Sequence, residues 1–142
     1  DDERLTVPAN LYVIGTMNIA DRSLALVDFA LRRRFAFLTL EPRFGDPAFR
    51  HWLQEREMNE ALVTRIVRRM ADLNEQIAGD GRLGPAFRVG HSFFCPRGDD
   101  FSSLGDKWFE EVVETEIAPL LREYWYDEAA KANSAVEQLL ER

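Results

Sequence analysis

The spacing of apolar residues changes once along this chain, at Glu41-Pro42, and that change limits the folds open to it. Before it, residues 11–16 (LYVIGT) and 35–40 (FAFLTL) are short apolar runs typical of strands covered on both faces. After it, apolar residues recur at three- and four-residue steps, which is the period of amphipathic helices. The sequence therefore predicts a mainly α protein with a small β part near its start.

Four helices are predicted beyond Pro42. The clearest covers residues 59–78, whose apolar residues share one face while Arg65, Arg68 and Asp72 face away. The others cover residues 47–57, a stretch that begins near residue 106 and is kinked at Pro119, and residues 127–140. Their apolar faces are sufficient to build a helical core.

The segment between the two predicted strands carries polar and basic groups at defined places. Asn18 follows the first strand, a short helix comes next, and Arg32, Arg33 and Arg34 end that helix before the second strand. Ligands of open α/β sheets bind beyond the carboxyl ends of strands, so Asn18 is placed for a site, although it could equally shape the turn. A helix C-terminus favours cations, which accounts for one or two of the arginines but hardly for three.

Two motif runs stand in this N-terminal part, GTMNIADRS and VDFALRRRFAF, and two more follow later, RVGHSFF and EIAPLLREYWYDE. In these runs the chain resembles the AAA+ domain of the 5-methylcytosine-specific restriction NTPases of McrB type. The resemblance implies a truncated AAA+ α/β core of two strands and one helix in residues 1–42. It implies an α-helical lid in residues 43–142.

The resemblance also implies roles for single residues. Asn18 takes the place of sensor 1, which contacts the γ-phosphate or orients the attacking water. Arg34, with Arg33 as the second choice, takes the place of the arginine finger that reaches into a neighbouring subunit's nucleotide site. Asp21 and Arg22 are expected near the cofactor, where they hold the sensor loop or contact a neighbouring subunit; an N-cap and a solvated arginine are the alternative.

Gly90, His91 and Ser92 fall where AAA+ lids begin the sensor 2 helix. His91 and Ser92 are therefore expected to contact the cofactor, although the usual sensor 2 arginine is absent. The cofactor implied is GTP or ATP with Mg²⁺, bound in the parent protein. No metal site is expected in this chain, because His51 and His91 lie far apart in sequence and Cys95 is the single cysteine.

The phosphate-binding half of an NTPase is absent from these 142 residues, which contain no GxxxxGK[ST] run and no apolar strand that ends in an acidic pair. The fragment alone is expected to be inactive and to bind no nucleotide tightly. A chain that starts with DDERLTVPAN is expected to come from a longer polypeptide. In the family's sheet the P-loop strand lies between the two strands predicted here, so we expect them to form a small, rearranged or intermolecular sheet.

The resemblance implies the motor subunit of a methyl-directed DNA restriction system. Such a motor forms a ring, expected to be a hexamer, recognises DNA through a separate domain and works with a nuclease subunit. Two alternatives stay open, a MoxR-like or midasin-like ATPase that remodels proteins and a non-enzymatic acidic helical interaction module.

Charge bears on these alternatives. The net charge is −7, and residues 99–142 hold twelve acidic and four basic side chains, so this third is a poor surface for nucleic acid. No apolar run approaches the roughly 18 residues of a membrane span. The acidic start is unlike a signal peptide, so a cytoplasmic protein without a membrane partner is expected.

Overall fold

The computed structural model describes residues 7–17 and 33–141, and the chain divides into two compact units, Asp1–Phe35 and Ala36–Arg142. The helices of the second unit are α1 (Pro47–Gln54), α2 (Glu60–Gly79), α3 (Asp106–Val112), α4 (Ala118–Tyr124) and α5 (Ala129–Leu140). Two 3₁₀ turns, Pro85–Phe87 and His91–Phe94, follow α2, and a π-helical turn, Val113–Ile117, joins α3 to α4. The mainly α fold is thus confirmed for the described residues. None of their helices combines the length and apolar composition needed to cross a membrane.

The predicted small β part is not confirmed. Residues 11–17 of the first unit and 36–40 of the second form no strand in the part of the chain that the structure describes. Their apolar side chains are exposed, with Ile14 at 93% and Leu38 at 90%. A strand is stabilised by a neighbouring ladder and by burial of its side chains, and these described segments have neither.

Helix α2 is the centre of the second unit and agrees with the predicted helix within one residue at each end. Its apolar face is buried, and it packs against α1, α3, α5 and the first 3₁₀ turn. The Asn59 side chain caps its start, because Oδ1 accepts the N–H of Ala61 at 2.9 Å. The spacing of the apolar residues and the Asn59 cap together explain why this helix could be predicted from the sequence.

The expectation that Arg65 faces away from the core is wrong. Its side chain is 14% exposed, and the guanidinium lies 4.6 Å from the centre of the Phe109 ring. Nη1 donates to Asp106 at 2.8 Å and Nη2 to the carbonyl of Leu140 at 3.0 Å. A long arginine side chain can cover apolar surface while its head finds polar partners, so Arg65 joins α2 to α3 and to the end of α5.

The helix predicted from residue 106 is three consecutive helical segments, α3, the π-helical turn and α4. Phe109, Val113, Ile117 and Leu121 keep one buried face through all three. Pro119 lies in the first turn of α4 and has no N–H to donate to the preceding turn. The irregularity therefore falls just before the proline that was expected to kink the helix.

Helix α1 ends in a left-handed turn formed by a glutamate. The N–H of Met58 donates to the carbonyl of Leu53 at 3.2 Å and that of Glu57 to the carbonyl of Gln54 at 2.9 Å, which is a Schellman motif. Glu57 has φ +61°, a conformation that glycine adopts without the steric penalty of a Cβ.

We predict that Glu57→Gly raises the free energy of unfolding by about 0.5–1 kcal/mol, since relief of the left-handed strain exceeds glycine's entropy loss. Urea unfolding of the chain measures it. Glu55→Gly is the matched control, because Glu55 has φ −58° and should lose about 0.5–1 kcal/mol there. Destabilisation of equal size in both variants would contradict the strain argument.

Asp80, directly after α2, links the end of that helix to α5 and to Trp125, which precedes α5. Its carboxylate accepts from Lys131 Nζ, from Trp125 Nε1 at 2.9 Å and from the N–H groups of Arg82 at 2.8 Å and Leu83 at 3.2 Å. The side chain is 4% exposed. The Lys131 ammonium, followed by the Arg82 N–H, holds the pKa of this carboxyl well below its ordinary value of 3.8.

We predict that Asp80→Asn costs about 2 kcal/mol of unfolding free energy at pH 7, as expected for hydrogen bonds to a charged group. Because the pKa of Asp80 is lower in the folded chain, the stability it provides is complete well above pH 3.8 and declines as pH falls below that value. Urea unfolding at pH 7 and pH 3 should show the variant and the parent converging. Asp72→Asn, at an exposed position of α2, is the control, and an unchanged difference at pH 3 would sink the assignment.

Candidate functional site

The segment of residues 88–94, which contains His91 and Ser92, is fixed to α2 by one buried amide. Asn74 Nδ2 donates to the carbonyl of Val89 at 2.9 Å, and Asn74 Oδ1 accepts the N–H of Val89 at 2.7 Å. Asn74 is 7% exposed. The side chain thus supplies both hydrogen bonds that a neighbouring strand would supply, and it orients the residues just before His91.

His91 begins a 3₁₀ turn and is engaged within the second unit. Its Nδ1 accepts the backbone N–H of Arg43 at 3.2 Å, so the neutral ring carries its hydrogen on Nε2. The ring meets Phe44 and Phe49 edge to face, with centroid distances of 6.4 and 5.5 Å. One ring nitrogen and the ring's apolar surface are therefore already in use.

Ser92 is exposed and borders a shallow groove of about 460 Å³. The groove is lined by Ser92, Phe93, Pro96, Trp108, Glu111, Val112, Thr115 and Glu116. The carboxylates of Glu111 and Glu116 disfavour a phosphate chain in it, because like charges repel. The groove is therefore a poor phosphate site, and Ser92 contributes an exposed hydroxyl at its edge.

The remaining predicted site residues are Asn18, Asp21, Arg22, Arg33 and Arg34. Asn18, Asp21 and Arg22 lie outside the described residues. Arg33 and Arg34 are exposed in a turn of the first unit. Their catalytic and cofactor-binding roles stay predictions. Within residues 7–17 and 33–141, no group of three or more His, Cys, Asp or Glu side chains is arranged to hold a metal ion.

Sequence reasoning missed Asn74, on which this site depends. The residue falls four positions after Met70 on the apolar face of α2, and a loop with glycine and proline follows the helix. A polar side chain on a buried stripe needs a partner, and loop backbone is a source of unpaired groups. That combination was the signal available in the sequence. It could not identify the partner, because the backbone of Val89, fifteen residues away, is marked by no residue type.

We predict that Asn74→Ala destabilises the chain by at least about 2 kcal/mol, because it leaves the buried N–H and C=O of Val89 without partners. Asn133→Ala, at an exposed position of α5, should stay within about 0.5 kcal/mol of the parent. Chemical denaturation compares the two. Equal effects at the buried and the exposed asparagine would refute the pairing.

Comparison with known proteins gives two results. Residues 65–133 match the family described as McrB, alpha-helical lid domain. The chain is 45% identical over 141 residues, 99% of its length, to the type IV methyl-directed restriction enzyme EcoKMcrB subunit of Escherichia coli strain K12. It spans 31% of the length of that relative. The family match includes the whole segment of residues 88–94.

Proposed function

This chain belongs to the McrB family, with the lid domain in residues 65–133, and from that premise we propose that it forms part of the NTP-hydrolysing motor of a methyl-directed DNA restriction system. The observation that carries the proposal is the 45% identity to a restriction enzyme subunit over 99% of the chain, a span that includes the GTMNIADRS and LRRRF runs. A lid match alone would support a shared lid fold, whereas this span also supports shared motor motifs.

Asn18 is proposed as the sensor 1 residue and Arg34, with Arg33 next, as the finger for a neighbouring subunit. Phosphoryl transfer requires positioning and charge stabilisation, which an amide and a guanidinium supply. Asp21 and Arg22 hold the sensor loop or contact the neighbouring subunit. Arg33 and Arg34 are exposed, which supports a role toward another molecule.

GTP or ATP with Mg²⁺ is the proposed cofactor. The 142 residues contain no GxxxxGK[ST] run, so groups outside them must cradle the phosphates and hold the metal. The chain alone is therefore expected to lack turnover and tight nucleotide binding. In the whole protein the proposed partners are further copies in a ring, a nuclease subunit, and DNA held by a separate domain.

Of the two lid residues expected at the cofactor, Ser92 is the better placed. Its side chain is exposed, whereas the His91 ring is engaged by Arg43, Phe44 and Phe49. A serine hydroxyl can donate to a phosphate or ribose oxygen. We assign the nucleotide contact to Ser92.

The match to a McrB lid favours this proposal over the protein-remodelling ATPase and the acidic interaction module. The activity that separates them is NTP-dependent cleavage of methylated DNA in the presence of a nuclease subunit. A remodelling ATPase would hydrolyse nucleotide without supporting cleavage, and an interaction module would do neither.

We predict that Asn18→Ala, made in the longer protein that carries this segment, abolishes turnover and leaves nucleotide binding intact. Sensor 1 acts on the attacking water or the γ-phosphate, so its loss removes transition-state stabilisation more than ground-state affinity. Equilibrium binding of a non-hydrolysable analogue and steady-state phosphate release measure the two effects. Turnover at the parent rate would remove Asn18 from the mechanism.

We predict that Arg34→Ala lowers turnover by at least about 10³-fold and that activity returns when its subunits are mixed with subunits lacking the P-loop lysine. In mixed rings the intact site of one subunit receives the finger of the other. A mixture as inactive as its components would contradict action between subunits. Arg97→Ala, at an exposed position of the lid, is the control and should retain the parent rate.

A further inference from the structure

We propose that His91 is a positioning residue that clasps the chain where it enters the lid, and that it does so together with the ion pair between Arg88 and Glu41. The clasp is the set of contacts between residues 41–44 and residues 88–94. It sets the direction in which residues 36–40 leave the lid. This inference rests on the proposed function for its consequence in catalysis, but its geometry stands independently.

Two polar contacts form the clasp, and they come from residues on the two sides of Val89 in the sequence. Arg88 Nη2 donates to Glu41 Oε2, and the N–H of Arg43 donates to His91 Nδ1 at 3.2 Å. Between Arg88 and His91 lies Val89, which the Asn74 amide holds against α2. The clasp is therefore attached to the central helix and does not move with a free loop.

An aromatic contact closes the clasp on its third side. Phe44 is buried, and its ring meets Phe49 at 5.7 Å, Phe94 at 6.0 Å and His91 at 6.4 Å between centroids. Edge-to-face pairs of this kind are favourable beyond their buried area. Residues 41, 43 and 44 are thus held by an ion pair, a backbone hydrogen bond and a buried ring.

On the N-terminal side of the clasp, two large apolar side chains of the described residues face solvent. Leu38 and Leu40 are about nine-tenths exposed, at 90% and 91%. Arg34 lies only seven residues before Glu41 in sequence. Residues 36–40 connect the clasp to Arg34, and the proposed motor needs that guanidinium placed accurately to stabilise the transition state.

The chemistry of His91 allows its two contributions to be separated. Asparagine Oδ1 can stand close to the position of Nδ1 and accept the Arg43 N–H, whereas phenylalanine keeps an aromatic ring against Phe44 and Phe49 but accepts nothing. If His91 bound the nucleotide, replacing it would change the affinity for nucleotide. If His91 positions the chain, replacing it changes hydrogen exchange at the Arg43 amide and the rate of turnover.

The first experiment measures amide hydrogen exchange in the 142-residue chain. In His91→Phe the Arg43 amide should exchange about tenfold faster, in His91→Asn less than threefold faster, and in His51→Phe, an exposed histidine of α1, at the parent rate. The α2 amides report whether each variant remains folded. Glu41→Gln, which removes only the exposed ion pair, should also speed exchange at Arg43. Unchanged exchange in both His91→Phe and Glu41→Gln would overturn the clasp.

The second experiment separates kcat from KM in the longer protein. His91→Phe should lower kcat about tenfold at an unchanged nucleotide KM, and His91→Asn should restore most of it. Ser92→Ala should raise KM instead. A raised KM with unchanged kcat in His91→Phe would make His91 a nucleotide contact and overturn the positioning role. If the unsubstituted longer protein hydrolyses no nucleotide, the proposed function is wrong. The amide exchange experiment still tests whether the clasp forms.

Discussion

The pairing of the Asn74 amide with the backbone of Val89 is the interaction on which the rest of the lid depends. It satisfies a buried N–H and a buried C=O of a segment that has no strand beside it, at a point where water cannot replace a lost partner. Because it fixes Val89 to α2, it also fixes what lies on either side, Arg88 and His91. Without this one side chain, the two residues that hold the incoming chain would belong to a loop without a defined position.

Polar contacts also link the two end regions of α2 to neighbouring segments, where a helical core is most exposed to water. At its C-terminal end Asp80 gathers donors from its own loop and from α5, and near its start Arg65 reaches Asp106 and the last carbonyls of α5. Both residues use charged groups with several partners each, which is the geometry in which a hydrogen bond contributes most. The apolar stripe of α2 brings the helices together, and these two residues link α2 to α3 and α5.

The sequence predicted what depends on local periodicity and missed what depends on distant partners. Helix α2 was predicted within one residue at each end, because its stripe and the Asn59 cap are both local signals. Arg65 was assigned to the wrong face, since a spacing rule does not show that an arginine can lie across a ring. The two strands were predicted from their apolar runs, but a strand forms only where another strand pairs with it, and the described residues of these two segments pair with none. His91 was found through resemblance, yet its contact with Arg43 was not, because a backbone N–H leaves no residue type to recognise.

Among the described residues, the exposure of large apolar side chains differs between the N-terminal part and the rest of the chain. From Phe44 onward the large apolar residues are mostly buried, whereas Leu11, Ile14, Leu38 and Leu40 are exposed. The residues from Phe44 onward therefore supply one another's apolar partners. A closely packed core of this kind resists internal deformation. Residues 41–44 are held to that core by the clasp, so the direction in which residues 36–40 leave it follows from the contacts of Glu41, Arg43 and Phe44.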